Sequence, residues 1–224
     1  MTRNGMALVL AVAGCCFAVA QAEAQTVKDA DASGKNEASL NVITPVFSQL
    51  VAFSYPRGFV PAFEDAKGGQ YLQESVLQGE SVDTWTQMIT LTGVKGLASN
   101  PNMTPKMFAG NMADGFKRVC PDSFAATGLG DMKIGAHDAF AAVVSCGVAN
   151  NSAEPHSESM LVVVVKGAKD YYTVQWAERA AASKTPIRLD DPKWKARLGR
   201  LSPIGLCPVV PGEKAPYPSC ARQR

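Results

Sequence analysis

Apolar positions recur along this chain with two periods, and the places where the period changes mark its elements. Over 46–55 (VFSQLVAFSY), Phe47, Val51, Phe53 and Tyr55 fall on one face by period two, with Gln49 interrupting. That predicts a strand, ended by Pro56-Arg57-Gly58. Gly68-Gly69 marks a turn, and 71–78 (YLQESVLQ) reads as a second strand. In 85–92 (WTQMITLT), Trp85, Ile89 and Leu91 share one face, and Thr86, Met88, Thr90 and Thr92 the other; β-branched residues suit a pleated surface. The cluster 79–83 (GESVD) turns between these two.

The period then lengthens. Thr104 is placed to cap a helix, and Pro105 loses no hydrogen bond at the first helical position. Phe108, Met112, Phe116 and Val119 follow at spacings of four, four and three, giving one apolar stripe on a helix ending near Cys120-Pro121. Gly110 and Gly115 weaken it by about 1 kcal/mol each relative to Ala, and are expected to allow close packing on a sheet. Gly128, Gly130 and Gly135 read as loop. Three further strands are expected at 139–146 (AFAAVVSC), 157–166 (SESMLVVVVK) and 171–178 (YYTVQWAE), the last two joined as a hairpin through Gly167-Ala168-Lys169-Asp170. The unbroken run 160–165 suggests burial on both faces. Tyr172, Val174 and Trp176 alternate with Tyr171, Thr173 and Gln175, which puts Trp176 in the core. Asp191-Pro192 opens a short helix with Trp194, Leu198 and Leu201 on one face and Asp191 as its cap. Five later prolines argue against regular structure beyond it. The order is three strands, helix, three strands, helix. Grouped strands point to an α+β fold, a mostly antiparallel sheet with helices packed on it.

The first 24 residues give an address. Arg3 precedes the uncharged stretch 6–20 (MALVLAVAGCCFAVA), followed by Ala20-Gln21-Ala22 and Ala22-Glu23-Ala24. Charge, apolar core and small-x-small sites make a signal peptide and predict a periplasmic or secreted protein. A second reading stays open: Val12-Ala13-Gly14-Cys15 resembles a lipobox, in which Cys15 would carry a lipid anchor. Residues 25–42 read as a polar leader with order beginning near 40–46, 43–202 as one α+β domain, and 203–224 as a Pro-rich tail. A folded part of roughly 160 residues buries about 70% of its unfolded surface, so a sizeable core is within reach.

Four cysteines follow the signal: Cys120, Cys146, Cys207 and Cys220. An even count in an exported chain implies disulfides, and four allow three pairings; nearest neighbours favour Cys120–Cys146 and Cys207–Cys220. No C-x-x-C spacing and no nearby histidine favours a metal or redox site.

Composition excludes more than it names. The formal charge of +2 gives no argument for nucleic acid. From Lys184 onward nine bases stand against three acids, so the C-terminal helix has a basic face, Lys193, Lys195, Arg197 and Arg200, able to meet anionic lipid or another polyanion. No G-x-S-x-G, Walker A, dinucleotide fingerprint or EF-hand loop occurs, and the two histidines, His137 and His156, read as exposed loop residues. No catalytic residue, metal ligand or cofactor follows. Strand aromatics without a chemical task, Tyr71, Trp85 and Tyr171, join the basic face as a candidate binding surface.

The element order also carries a resemblance. The early strand ending in Tyr55-Pro56-Arg57-Gly58-Phe59, the meander through Trp85-Thr86-Gln87-Met88, the helix over 104–119, the hairpin through 171–176 and the closing helix resemble PsbP-like and DcrB-like exported domains over roughly residues 45–201. The segment 171–179 is similar to uncharacterised small exported proteins of proteobacteria. The resemblance implies an accessory or protein-binding domain without catalysis, its partner another exported or envelope protein. An immunity protein or inhibitor of a toxin or hydrolase is one specific form. An enzyme with an unrecognised site is the reading from a different class.

Overall fold

The computed structural model describes residues 39–149 and 154–222. The segment read as a signal peptide, Cys15 and residues 25–38 of the expected leader lie outside them. Ten strands, a 3₁₀ turn (Leu97–Ser99) and three helices are assigned among the described residues. The fold is α+β, and the strand pairs are antiparallel.

The expected strand over 46–55 is two strands. β1 (Leu40–Val46) pairs along its length with β2 (Gln49–Tyr55), and the chain reverses at Phe47-Ser48. Phe47 takes a left-handed conformation there (φ 52°). Gln49 interrupts the alternation because it opens the second strand. There it is buried, and its Oε1 accepts from the Ala168 backbone N–H at 2.8 Å.

β3 (Phe59–Lys67) and β4 (Gln70–Leu77) form the next hairpin, followed by β5 (Gln87–Val94). α1 (Pro105–Val119) is capped as expected: Thr104 Oγ1 accepts from Met107 N–H at 3.1 Å. Phe108, Met112 and Phe116 pack inward, but Val119 is 52% exposed, because the inward face runs through Ala109 and Ala113 instead. The close approach comes from those alanines; a Cβ at Gly110 would meet nothing within 4 Å.

β6 (Phe124–Ile134) occupies the segment expected as loop, and β7 (His137–Ala149) pairs with it. The glycines serve the strand: the register shifts between Gly128 and Gly130, a bulge at which Gly130 has φ 124°, and Gly135 turns the hairpin. β8 (His156–Lys166) and β9 (Tyr171–Ala181) follow as the expected hairpin, buried on both faces over most of their length. α2 (Asp191–Leu201) buries Trp194 and Leu201, as its spacing predicts. Its N-cap is Asp190 rather than Asp191, and no side chain caps it. Regular structure occurs among the prolines, with β10 (Gly205–Pro208) ending on one and the one-turn α3 (Pro218–Ala221) beginning with another.

The strands make two sheets. A seven-stranded sheet has the order β3-β4-β5-β9-β8-β7-β6, and a three-stranded sheet the order β1-β2-β10. Ile89, Leu91, Tyr172, Val174 and Trp176 pack with Val51, Phe53 and Tyr55 of the small sheet and with Trp194 and Leu201 of α2. Gly93 permits this layer to close at the β1–β2 turn: a Cβ there would sit 2.6 Å from Val46 Cγ1. The opposite face carries Phe140, Ala142, Val144, Val162 and Val164 against α1.

Both nearest-neighbour disulfides are formed. Cys120–Cys146 (Cα–Cα 5.7 Å) ties the end of α1 to β7. Cys207–Cys220 (Cα–Cα 5.5 Å) pins the tail where Leu50 and Ala52 of β2 face outward, so the tail covers the outer side of the small sheet.

Candidate functional site

The two faces of the large sheet are covered unequally. α1 lies over β7 and its neighbours β6 and β8. Beside α1, above β4, β5 and β9, is a groove of about 640 Å³. That lies within the range of small-molecule sites, roughly 300–1,000 Å³.

Its floor follows from the pleat. Side chains two apart share a face, so Leu72 and Glu74 on β4, Met88, Thr90 and Thr92 on β5, and Gln175, Ala177 and Arg179 on β9 all point to the α1 side. Register then aligns them: Glu74 is paired with Thr90, and Thr90 with Gln175. The same row continues under α1 as Val162 and Ala142. Along this row the sheet is thus polar in the groove and apolar beneath the helix. Met112, Gly115 and Phe116 of α1 form one wall, with Cys120–Cys146 fixing the end of that helix. Trp85 and Val82, on the β4–β5 connection, form the other.

The polar groups differ in how fully they are used. Thr92 and Thr173 share a hydrogen bond of 2.7 Å, and Gln175 Nε2 donates to Thr173 Oγ1 at 2.7 Å. The Arg179 guanidinium stacks 3.8 Å from the Trp85 ring centroid, and its Nε lies 3.6 Å from Glu158 Oε2. His156 Nε2 stands 3.9 Å from the same oxygen. Burial, and then the nearby Glu158 carboxylate, push the Glu74 carboxyl above its ordinary value. Neither Gln175 Oε1, Thr90 Oγ1 nor the Glu74 carboxylate is met by a hydrogen-bonding group among the described residues.

The residues expected to form an aromatic surface are mostly in the core. Tyr71 and Tyr171 are buried on opposite faces of the large sheet, because register aligns Tyr71, through Gly93, with Tyr172, the neighbour of Tyr171. Tyr71 donates to Glu64 at 2.8 Å, and Tyr171 stacks on Phe108 at 5.4 Å. Trp85 is buried as well, but it precedes β5 and turns to the Met88 side rather than the Ile89 side, where it lines the groove.

Much of the basic face of α2 is engaged within the fold. Lys193 and Arg197 both pair with Glu178, the latter at 2.8 Å. Arg197 and Arg200 lie over the Trp176 ring at 4.5 and 5.2 Å. Lys195 is exposed. The histidines are not exposed loop residues: each opens a strand and is partly buried, His137 beside Gln49 and the Lys166 carbonyl, His156 beside Glu158. No group of three or more His, Cys, Asp or Glu side chains is gathered for a metal among the described residues, and no helix there is long and apolar enough to cross a membrane.

No protein-family model and no curated protein matches the chain. Solved structures similar to it include the Saccharomyces cerevisiae Ran-binding protein Mog1p, at 9% identity and TM-score 0.40, covering 74% of this chain and 86% of that one. A mutant of Mog1 is similar at 9% identity and TM-score 0.40, over 70% of this chain and 84% of that one. LpqN of Mycobacterium tuberculosis, involved in cell envelope biogenesis, is similar at 11% identity and TM-score 0.37, over 76% of this chain and 91% of that one. Likeness at this level assigns neither activity nor partner.

Proposed function

We propose that this chain is an exported binding domain, periplasmic or secreted, that works by holding a ligand in the groove between α1 and strands β4, β5 and β9 and not by catalysis. One observation carries the reading. Along a single row of the sheet, residues under α1 are Val162 and Ala142, while those beside it are Glu74, Thr90 and Gln175, with polar atoms that no hydrogen-bonding group among the described residues meets. These atoms are open to solvent within the groove, where the donors of a polar ligand can reach them. The two disulfides fit a chain that folds in an oxidising compartment. The aromatic basis for a protein partner is weakened by the burial of Tyr71 and Tyr171.

Gly115→Phe tests this. Gly115 lines the groove from the helix, and a Cβ there would have only Arg118 Nη2 within 4 Å, at 3.8 Å. The variant places a ring in the groove without crowding the helix. A compound retained by the protein through purification from its own compartment, and missing from Gly115→Phe, is the expected result. Identical extracts from two equally folded proteins would contradict the proposal.

A further inference from the structure

The chemistry of the groove floor narrows the ligand. Glu74 carries a carboxylate with no hydrogen bond or ion pair among the described residues. Beside it in register, Thr90 and Gln175 are each only 8% exposed. Gln175 commits its amide nitrogen to Thr173, which leaves its oxygen as the free end. These neighbours in one row can all accept: a carboxylate, an amide oxygen and a hydroxyl oxygen. Glu158 adds a second carboxylate, which pairs with Arg179 at 3.6 Å and stands near His156. The Arg179 guanidinium is in turn drawn over Trp85 and toward the Asp83 carbonyl. Glu74 therefore has no cation paired with it among the described residues, and the groove around it is apolar at Met88 and Met160 of the sheet and at Met112 and Phe116 of α1.

We infer that the groove binds a small molecule presenting an ammonium or guanidinium group on an apolar body, its N–H donors received by Glu74, Gln175 Oε1 and Thr90 Oγ1. An anion would meet two carboxylates there, and the Arg179 guanidinium in the same lining is already engaged by Glu158 and the Trp85 ring. A neutral apolar molecule would leave all three acceptors without donors, which is costly for buried polar groups. The thioether and aromatic walls suit the body of such a ligand, since methionine adapts to irregular shapes and aromatic faces attract cations. The inference rests on the groove reading above and goes beyond it in naming charge.

Three probes of equal chain length separate the cases: octylammonium, octanol and octyl sulfate, titrated calorimetrically into the full chain. Octylammonium is expected to bind about tenfold more tightly than octanol, as a charge-assisted hydrogen bond supplies, with octyl sulfate weakest. In Glu74→Gln the preference for octylammonium over octanol should fall to near parity; Glu74→Asp should keep part of it. Equal binding of octylammonium and octanol to the parent would overturn the cation inference while leaving the groove as a site. A preference for octyl sulfate, or no binding of octylammonium, would overturn it as well. The groove itself is judged separately, by what the protein retains from its own compartment.

Discussion

The carboxylate of Asp170 accepts both donors of Ser48, its backbone N–H at 3.1 Å and its hydroxyl at 2.5 Å. Asp170 sits in the β8–β9 turn of the large sheet, and Ser48 in the β1–β2 turn of the small one. The same carboxylate takes the Gly96 N–H at 2.7 Å and the Tyr172 hydroxyl at 3.2 Å. Three loops distant in sequence are thereby closed on one buried anion.

That arrangement has a pH signature. Burial pushes the Asp170 carboxyl up, but hydrogen bonds from Ser48, Gly96 and Tyr172 outweigh it and hold the group below its ordinary value. A carboxyl depressed in the fold adds stability above its unfolded pKa, and that stability is lost as pH falls through the folded value. Asp170→Asn should cost about 2–4 kcal/mol at pH 7, since an amide cannot accept from all these donors. Urea unfolding at pH 7 and near pH 3 should show the gap between the variant and the parent narrowing in acid. A gap independent of pH would contradict the role of the charge.

Trp176→Ala should destabilise by roughly 3–5 kcal/mol. The ring is buried edge-on to Phe59 at 5.4 Å, donates through Nε1 to Gln87 at 3.1 Å, and lies beneath Arg197 and Arg200. Equilibrium denaturation checks this, and a loss below about 1 kcal/mol would mean that α2 does not seal the ring as described.

Two glycines should respond in opposite directions. A Cβ at Gly147 would lie 2.2 Å from the Ser183 carbonyl oxygen and 2.9 Å from that of Thr185, so Gly147→Ala must displace backbone. It is expected to cost more than about 2 kcal/mol. Gly115→Ala, in the open interior of α1, should stabilise by about 1 kcal/mol. Paired thermal melts decide it: Tm falls for the first and rises for the second.

Glu74→Gln should stabilise the empty protein at neutral pH. A carboxyl raised in the fold disfavours its own charged form, so it costs stability once pH exceeds the folded pKa, and the cost is absent below the unfolded pKa. The gain should therefore appear at pH 7 and vanish well below pH 4. A variant destabilised at pH 7 would show Glu74 to be structurally required.

Much of this fold was legible from period alone, for physical reasons that also explain the misses. α1, the β8–β9 hairpin and α2 are long amphipathic or doubly buried segments, so their apolar spacing is strong. β3 is nearly all exposed, contains Pro61 and has no buried alternation to detect. β6 is an edge strand whose glycines serve a bulge, and local sequence makes them look like loop. Parity places Trp85 on the wrong face, because it holds only inside a strand and β5 starts at Gln87. The groove was less accessible still, since its floor joins β4, β5 and β9 across about a hundred residues of sequence. Its one local signal was Gln175 beside Thr173 in a strand otherwise built for the core; Glu74 on β4 became meaningful only once register placed it in the same row.

The most direct test of the binding groove is methionine methyl NMR on the full chain, titrated with the small-molecule extract of its own compartment. Met88, Met112 and Met160 line the groove, whereas Met107 is exposed on the outer side of α1 and Met132 lies on the opposite face of the sheet. The account predicts that the first three resonances move together, that Met107 and Met132 stay in place, and that Gly115→Phe abolishes the shifts. Shifts confined to Met107 or Met132, or none at the groove methyls at any extract concentration, would contradict it.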